Sequence, residues 1–500
     1  MSEKKRVMIL GVDLGTSSLK AVLADAAETL IAEAAVPLAT ATPRPGWSEQ
    51  HPRDWWAAFR QALGLLRAKR PDAFRRVRAL GLSGQMHAAV LLDRRGDPIR
   101  PAILWNDGRA TQECEMLSAA VPDLPSVAGV VAMPGFTAPK LLWLRQNEPE
   151  NFGRLWKVVS PKDFLRHILT GEMITDMSDA AGTLWLDQGA RDWSDDILAA
   201  TGLARSAMPA LVEGNAPAGF LRAEVLQELG IDGPVVVAGG AGDVAAAAIG
   251  IGAVADGNAF ISLGTSAQFF VADERYRPQP RSLLHAFAHA LPGRWFRMAA
   301  MLNGASCLEW IGRIAGEPDV GNLLDLCEDA SRGPSRVLFL PYLSGERTPH
   351  NDPHARGVLV GLDASVGTAD LVQATLEGVA FSLLEARRLL EASGVGQGRV
   401  AAVGGGARSR FLMQLVANVL GVAIVRHVGR ETAPARGAAR LARMALTGES
   451  AEAVCTEPPV QDVLEPDRAL TAAYAEGFES YRRLYQALKS EFHRGLTSPP

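Results

Sequence analysis

Residues 13–25 read DLGTSSLKAVLAD, and residues 262–273 read SLGTSAQFFVAD. Each follows a short apolar run, VMILGV in the first case and AFI in the second. Both therefore read as strand, Gly-Thr-Ser turn, strand, Ala-Asp: a β-hairpin whose turn offers glycine backbone and two hydroxyls. One such turn is a common connection and decides nothing. Two copies, each near the start of one half of the chain, predict a duplicated domain. Main-chain N–H groups and hydroxyls both donate to phosphate oxygens, so a pair of these turns suits a polyphosphate gripped from two sides.

The rest of the chain follows the same plan. RVMILGV (6–12), KAVLAD (20–25) and RALGLS (78–83) predict strands, with an amphipathic helix at PRDWWAAFRQALGLLRAKR (52–70). NAFISL (258–263), AQFFVAD (267–273) and GRWFRMA (293–299) predict a second set. Helical patterns follow at 306–316, 369–394 and 410–421, and a short helical tail is expected after about 445. This alternation predicts an α/β fold in both halves. Five hundred residues exceed what one hydrophobic core supports, so two domains are expected, at 1–252 and 253–500.

Composition narrows the class. The formal net charge is −4, from 51 basic and 55 acidic residues, and no basic arm carries interleaved aromatics. Nucleic acid is therefore not an expected partner. Cys114, Cys307, Cys327 and Cys455 form no CxxC pair and predict free, buried thiols of a reducing compartment. The first apolar run is broken at Asp13, too early for a signal peptide. The longest run of small apolar residues, at 244–255, falls short of the ~20 needed to span a bilayer. A cytoplasmic protein with no membrane segment is expected.

Chemistry gathers at a few places. Asp13 stands beside the first turn, where the second copy has Ser262. A carboxylate next to phosphates is repulsive unless a cation lies between them, and Mg²⁺ takes carboxylates, waters and phosphate oxygens. Asp13 is thus the candidate Mg²⁺ ligand. In VVVAGGAGDVAAAAIGIG (235–252) Asp243 is the one reactive side chain. It reads as a helix cap or as a base that takes a proton from an attacking hydroxyl. Gly239, Gly240 and Gly242 lower the wall around it, as a ligand's approach would require. Gly404 to Gly406 lie between a predicted strand and helix and offer a flat surface to a ring or a phosphate, although neither GxGxxG nor the P-loop pattern is matched. SGQMHAAVLLD (83–93) and ILWNDGRA (103–110) supply Gln85, Met86, His87, Trp105, Asn106, Asp107 and Arg109. Such polar density beside an apolar wall suits a small polyhydroxylated ligand. His350, Asp352 and His354 lie between prolines and read as a turn-rich loop rather than a metal trio.

GVDLGTSSLKAVLAD, GLSGQMHAAVLLD, PAILWNDGRA, MPGFTAPKLLWL, TDMSDAAGTLWLD, AGGAGDVAAAAIGIG, ISLGTSAQFFV, FLPYLSGERTPHNDPHARGVLVGL and GGGARS resemble the FGGY carbohydrate kinases, over about residues 7 to 445. The resemblance implies two actin-like (ribonuclease-H-like) ATPase domains with a cleft between them, sugar on the first and ATP on the second. It implies Asp243 as catalytic base, and sugar contacts from Gln85, Met86, His87, Trp105, Asn106 and Asp107. On the nucleotide side it implies Gly264 and Thr265 at the phosphates, Gly405, Gly406 and Asn418 around adenosine, and Thr16 and Ser17 facing the phosphates from the opposite wall. The QMH triplet is similar to that of the family's D-xylulose kinases; ribulose, gluconate and glycerol are the alternative acceptors. Those D-xylulose kinases commonly carry Asn after the catalytic Asp, where this chain has Val244. Homodimers are frequent in the family. The actin-like fold also serves peptide-binding chaperones and sugar-sensing repressors, which need a further domain or a helix-turn-helix that is not read here.

Overall fold

The computed structural model describes residues 7–330, 333–394 and 398–494; Arg6, which opens the first predicted strand, lies outside them. The first hairpin begins a sheet of β1 (Met8–Leu14), β2 (Ser18–Asp25), β3 (Leu30–Pro37), β4 (Val77–Gly84) and β5 (Val236–Ala238), in the order β3-β2-β1-β4-β5. Here β2 is antiparallel to β1 and β3, while β4 is parallel to β1 and β5. The second hairpin begins a sheet of β6 (Ala259–Leu263), β7 (Ala267–Asp273), β8 (Trp295–Met301), β9 (Val400–Val403) and β10 (Ile424–His427). Its order is β8-β7-β6-β9-β10, with the same sequence of strand directions. One edge agrees as well: Pro217–Phe220 adds antiparallel to β5, and Val460–Leu464 adds antiparallel to β10, while at the other edge His285–Ala288 adds antiparallel to β8 in the second sheet alone. The duplication expected from two turns is present in the five central strands and one edge strand of two α/β domains. Val460–Leu464 also corrects the expectation of a purely helical tail, because the chain returns to complete the second sheet before the final helix, Arg468–Phe492.

Alternation along β1 sorts its side chains between two cores. Met8, Leu10, Val12 and Leu14 face α1 (Pro52–Lys69), whose Trp55, Phe59, Ala62, Leu63 and Leu66 recur at helical spacing. Ile9 joins a different core, and Gly11 and Asp13 share its parity. On that face lie α2 (Asp243–Gly250) and a helix from far along the chain, α3 (Ala433–Thr447). Gly11 and Gly81 are register partners on β1 and β4. A Cβ on Gly11 would stand 1.9 Å from the Ala435 carbonyl oxygen, and one on Gly81 would stand 1.8 Å from that of Ala438. The two helices meet in the same manner. A Cβ on Gly250 would lie 2.0 Å from Ala433 O, and one on Gly437 would lie 1.8 Å from Ala246 O. Bare backbone at these four positions lets sheet and helices approach to main-chain contact. By sequence α3 belongs to the second half, yet it rests on the first sheet, so Ile9, Ala245, Phe270, Ala435 and Ala439 share one core.

A further core fills the second half beneath Thr368–Ala392, Arg410–Leu420 and Arg468–Phe492. All four cysteines are buried and free, as their spacing predicts. No helix among the described residues is long and apolar enough to cross a membrane.

Candidate active site

Asp13 and Asp243 form the charged centre. Asp13 lies near the end of β1 between two register partners, Lys20 on β2 and Ser83 on β4. The Ser83 hydroxyl donates to Asp13 Oδ1 over 2.8 Å. Burial pushes the Asp13 carboxyl above the usual carboxylate range, against the opposing pull of Ser83 and Lys20. Lys20 Nζ donates to the Glu431 carbonyl, 3.1 Å away in the second half. Asp243 opens α2, and its Oδ1 accepts the Val244 N–H over 2.8 Å. Burial, and after it the charge of Asp13, raise the Asp243 carboxyl to about 7. Two carboxylates that resist ionising together are a setting for a proton acceptor and for a cation.

The segment before Asp243 is fixed from below by groups the sequence does not single out. Arg166 donates to the carbonyls of Ala238 (2.6 Å) and Gly239 (2.5 Å). The Gly242 N–H donates to Ser178 Oγ over 3.0 Å, and that hydroxyl donates to Asp176 at 2.5 Å. Fully buried Lys162 lies 2.7 Å from Asp163, 2.8 Å from Asp176 and 3.4 Å from Asp179. Burial holds Asp179 near 7, so this cluster keeps its charge nearly balanced. The glycines beside Asp243 also let neighbouring chain pack closely, which the sequence reading did not anticipate. A Cβ on Gly239 would meet the Glu213 carbonyl at 2.3 Å, one on Gly240 the Leu82 carbonyl at 2.3 Å, and one on Gly242 the Met86 side chain at 2.7 Å.

Met86 thus rests directly against the residue preceding Asp243. His87 follows in the left-handed region, φ 69°, a conformation costing a non-glycine residue ~1–3 kcal/mol and sustained here by its surroundings. Its Nδ1 lies 2.7 Å from the Gly182 carbonyl, and its own carbonyl accepts from Thr137 (3.0 Å) and Lys140 (3.1 Å). Burial lowers the imidazole to about 3, so the ring is neutral, with the proton on Nδ1 and an acceptor lone pair on Nε2. Gln85 and Trp105 turn inward: the Thr16 hydroxyl donates to Gln85 Oε1 (3.0 Å) and accepts from Trp105 Nε1 (2.9 Å). This commits Thr16 to the wall and leaves Ser17 exposed at the turn. Asn106 is exposed, whereas Asp107 is buried and gives its carboxylate to the Ser48 N–H (2.6 Å) and to Arg109 (2.7 and 2.8 Å). Asp107 therefore braces the wall instead of presenting an open acceptor.

In the second half, Thr265 is exposed at its turn, with Gly264 N–H donating to the Ser266 carbonyl. The three consecutive glycines divide. A Cβ on Gly404 or Gly406 would press on Leu263, at 2.8 and 2.7 Å, whereas nothing lies within 4 Å of one on Gly405. Asn418 Oδ1 accepts the Asp467 N–H (2.9 Å) and the Gln414 amide (3.1 Å), tying the start of the final helix. His350 stacks on Tyr485 at 3.6 Å, and Asp352 accepts from the Tyr485 hydroxyl at 3.0 Å. The proline-flanked loop is thus bound to that helix.

Residues 8–250 match the N-terminal domain of the FGGY family of carbohydrate kinases, and residues 259–446 match its C-terminal domain. The chain belongs to the FGGY family of carbohydrate kinases. It is similar to the xylulose kinase of Escherichia coli K12, at 45% identity over 96% of this chain and 99% of that one. It superimposes on the crystal structure of a xyloylose kinase from Brucella ovis with a TM-score of 0.92 and 46% identity, covering 97% and 99% of the two chains. A gluconate kinase from Lactobacillus acidophilus gives a TM-score of 0.90 at 25% identity, over 98% and 99%. An FGGY kinase transfers phosphate to a sugar with ATP as co-substrate, so the two hairpin turns and the acidic pair belong to a phosphotransferase. In this FGGY kinase the Val244 side chain, where an amide was expected, is buried in the central core.

Proposed function

We propose that this kinase phosphorylates D-xylulose on its primary hydroxyl, giving D-xylulose 5-phosphate and ADP. The observation that carries the reading is the raised Asp243 carboxyl beside Met86 and His87, in a chain 45% identical to a curated xylulose kinase. Asp243 Oδ accepts the hydroxyl proton as that oxygen attacks the γ-phosphorus in line. Met86 supplies an apolar face, and the neutral His87 accepts a sugar hydroxyl at Nε2.

The mutual repulsion of Asp13 and Asp243 fits a divalent cation, which hard carboxylate oxygens hold well. Asp13 would hold Mg²⁺; the ion, when bound, neutralises phosphate charge. Ser83 and Lys20 favour the ionised form of Asp13, against the larger effect of burial. The first domain (1–252) then carries the sugar and the second (253–500) the nucleotide. Ser17 and Thr265 supply hydroxyls to the phosphates from the two walls, and Gly405 offers an open surface to the adenosine. Closure of the two walls would exclude water, which otherwise competes as acceptor. Dependence on ATP and four buried thiols suit a cytoplasmic enzyme.

The test is a coupled ADP-release assay with D-xylulose, D-ribulose, gluconate and glycerol. D-xylulose is expected to give the highest kcat/KM. A higher value on any of the other three overturns the substrate assignment.

A further inference from the structure

Arg347 carries a charge that the mechanism above does not use. Its neighbours in sequence are tied down. Glu346 accepts the main-chain N–H groups of Leu302 and Arg347, each at 2.7 Å, and the Asn303 amide at 3.2 Å. The Thr348 N–H donates to the Ala300 carbonyl at 3.2 Å, on β8. With both flanks held, the Arg347 side chain reaches the first half of the chain. A Cβ on Gly135 would stand 3.3 Å from Arg347 Nη2 and 2.2 Å from the Trp105 carbonyl oxygen. The guanidinium charge also bears on His87, Lys140 and His285, adding to the larger effect of burial in lowering each of them. Among the described residues no oxygen accepts a hydrogen bond from this guanidinium.

Its position completes a row. Asp243 adjoins Gly242, on which Met86 rests; Met86 adjoins His87; and the His87 ring meets that of Phe136, next to Gly135, at 4.5 Å. Arg347 meets this series of contacts at its Gly135 end. The chemistry of a 5-phosphorylated ketopentose makes that end matter. The C5 hydroxyl is the group that closes the furanose ring on C2, so a free C5 hydroxyl requires the open-chain ketone. The carbonyl oxygen is then bare inside the site and needs a donor. His87 cannot be one, since its single N–H is given to Gly182 and Nε2 only accepts. Lys140 Nζ is surrounded by the carbonyls of His87, Gly135 and Ile103. Trp105 Nε1 is given to Thr16. A guanidinium has only donors.

We propose that Arg347, from the second half of the chain, is a specificity residue that donates to the carbonyl end of the open-chain ketose, opposite the hydroxyl held at Asp243. The inference rests on the D-xylulose reading. It also implies that the sugar is gripped by both halves of the chain.

Arg347→Met and Arg347→Lys are compared with wild type in steady-state kinetics, varying D-xylulose, xylitol and ATP. Xylitol has a hydroxyl in place of the carbonyl. Arg347→Met should raise KM for D-xylulose about tenfold or more, as loss of a hydrogen bond from a charged donor does. It should leave KM for ATP within about twofold and erase most of the preference for D-xylulose over xylitol. Arg347→Lys should recover part of the loss. An unchanged KM for D-xylulose, an unchanged preference over xylitol, or equal increases in both KM values overturns the inference. Should Arg347→Met not fold, Arg347→Lys carries the test alone: the charge without the fork should still raise KM for D-xylulose, and no change overturns the proposal. A wild type inactive on D-xylulose overturns the substrate reading and this inference together. A wild type active on D-xylulose beside an unaffected Arg347→Met overturns this inference alone.

Discussion

Asp13 and Ser83 are register partners on neighbouring parallel strands, and the serine hydroxyl lies 2.8 Å from Asp13 Oδ1. Ser83 thereby favours the ionised form of a carboxyl that burial would protonate. Ser83→Ala should raise the Mg²⁺ concentration for half-maximal turnover by about tenfold, near the value of one hydrogen bond to a charge. KM for the sugar should move less than about twofold. Titrations of turnover with MgCl₂ and with sugar measure the two, and an unshifted Mg²⁺ curve would contradict the role given to Asp13.

With its carboxyl raised to about 7, Asp243 is protonated in acid and cannot accept a second proton. At limiting nucleotide, kcat/KM should fall about tenfold per pH unit below about pH 7 and level off above it. Saturating Mg²⁺ and ATP should relieve the repulsion from Asp13 and move the acid limb to lower pH. Initial rates from pH 5 to 9 give the profile, and a flat profile across that range would exclude Asp243 as the base.

The same shift has a consequence for stability. A carboxyl whose folded value lies above its unfolded value stabilises the fold in acid, and that stabilisation is lost as pH rises from about 4 through about 7. Asp243→Asn, which cannot ionise, should therefore melt higher than wild type at pH 8 and show little advantage at pH 4. Its turnover should drop by about 10²–10⁴. Thermal unfolding at the two pH values, paired with turnover, checks the opposed effects.

Gly405 and Gly406 should answer substitution differently. An alanine methyl at 405 enters open space, whereas at 406 it would meet Leu263 at 2.7 Å. Gly405→Ala should keep the wild-type melting temperature and raise KM for ATP several-fold, as steric intrusion on the adenosine would. Gly406→Ala should lower the melting temperature by several degrees, because β6 must shift. Equal melting temperatures for the two variants would refute the distinction.

The hairpins were legible because they are local: strand period, turn glycine and turn hydroxyls all lie within thirteen residues. Asp13 and Asp243 were legible because each is the only acid in an apolar, glycine-rich setting. Partnerships across the chain were not. Lys162, Asp163, Asp176 and Asp179 resemble ordinary surface charge in sequence, and only folding brings them under Gly242. That Ser48 and Asp467 already hold oxygens of Asp107 and Asn418 was not legible either, because those partners lie 59 and 49 residues away. Arg347 was obscured by the histidines that follow it. The glycines at 239 and 240 were noted, but the carbonyls they accommodate come from 213 and 82.

The crossing of α3 onto the first sheet means that the border drawn by homology and the border at which the molecule can be cut are different places. A fragment ending near residue 252 would leave the backbone trough at Gly11 and Gly81 uncovered, and its complement would carry an orphaned helix with an apolar flank. Neither piece should be soluble by itself, whereas co-expressed pieces should reassemble around that helix. The first sheet of this kinase is thus covered by a helix that the second half of the chain supplies.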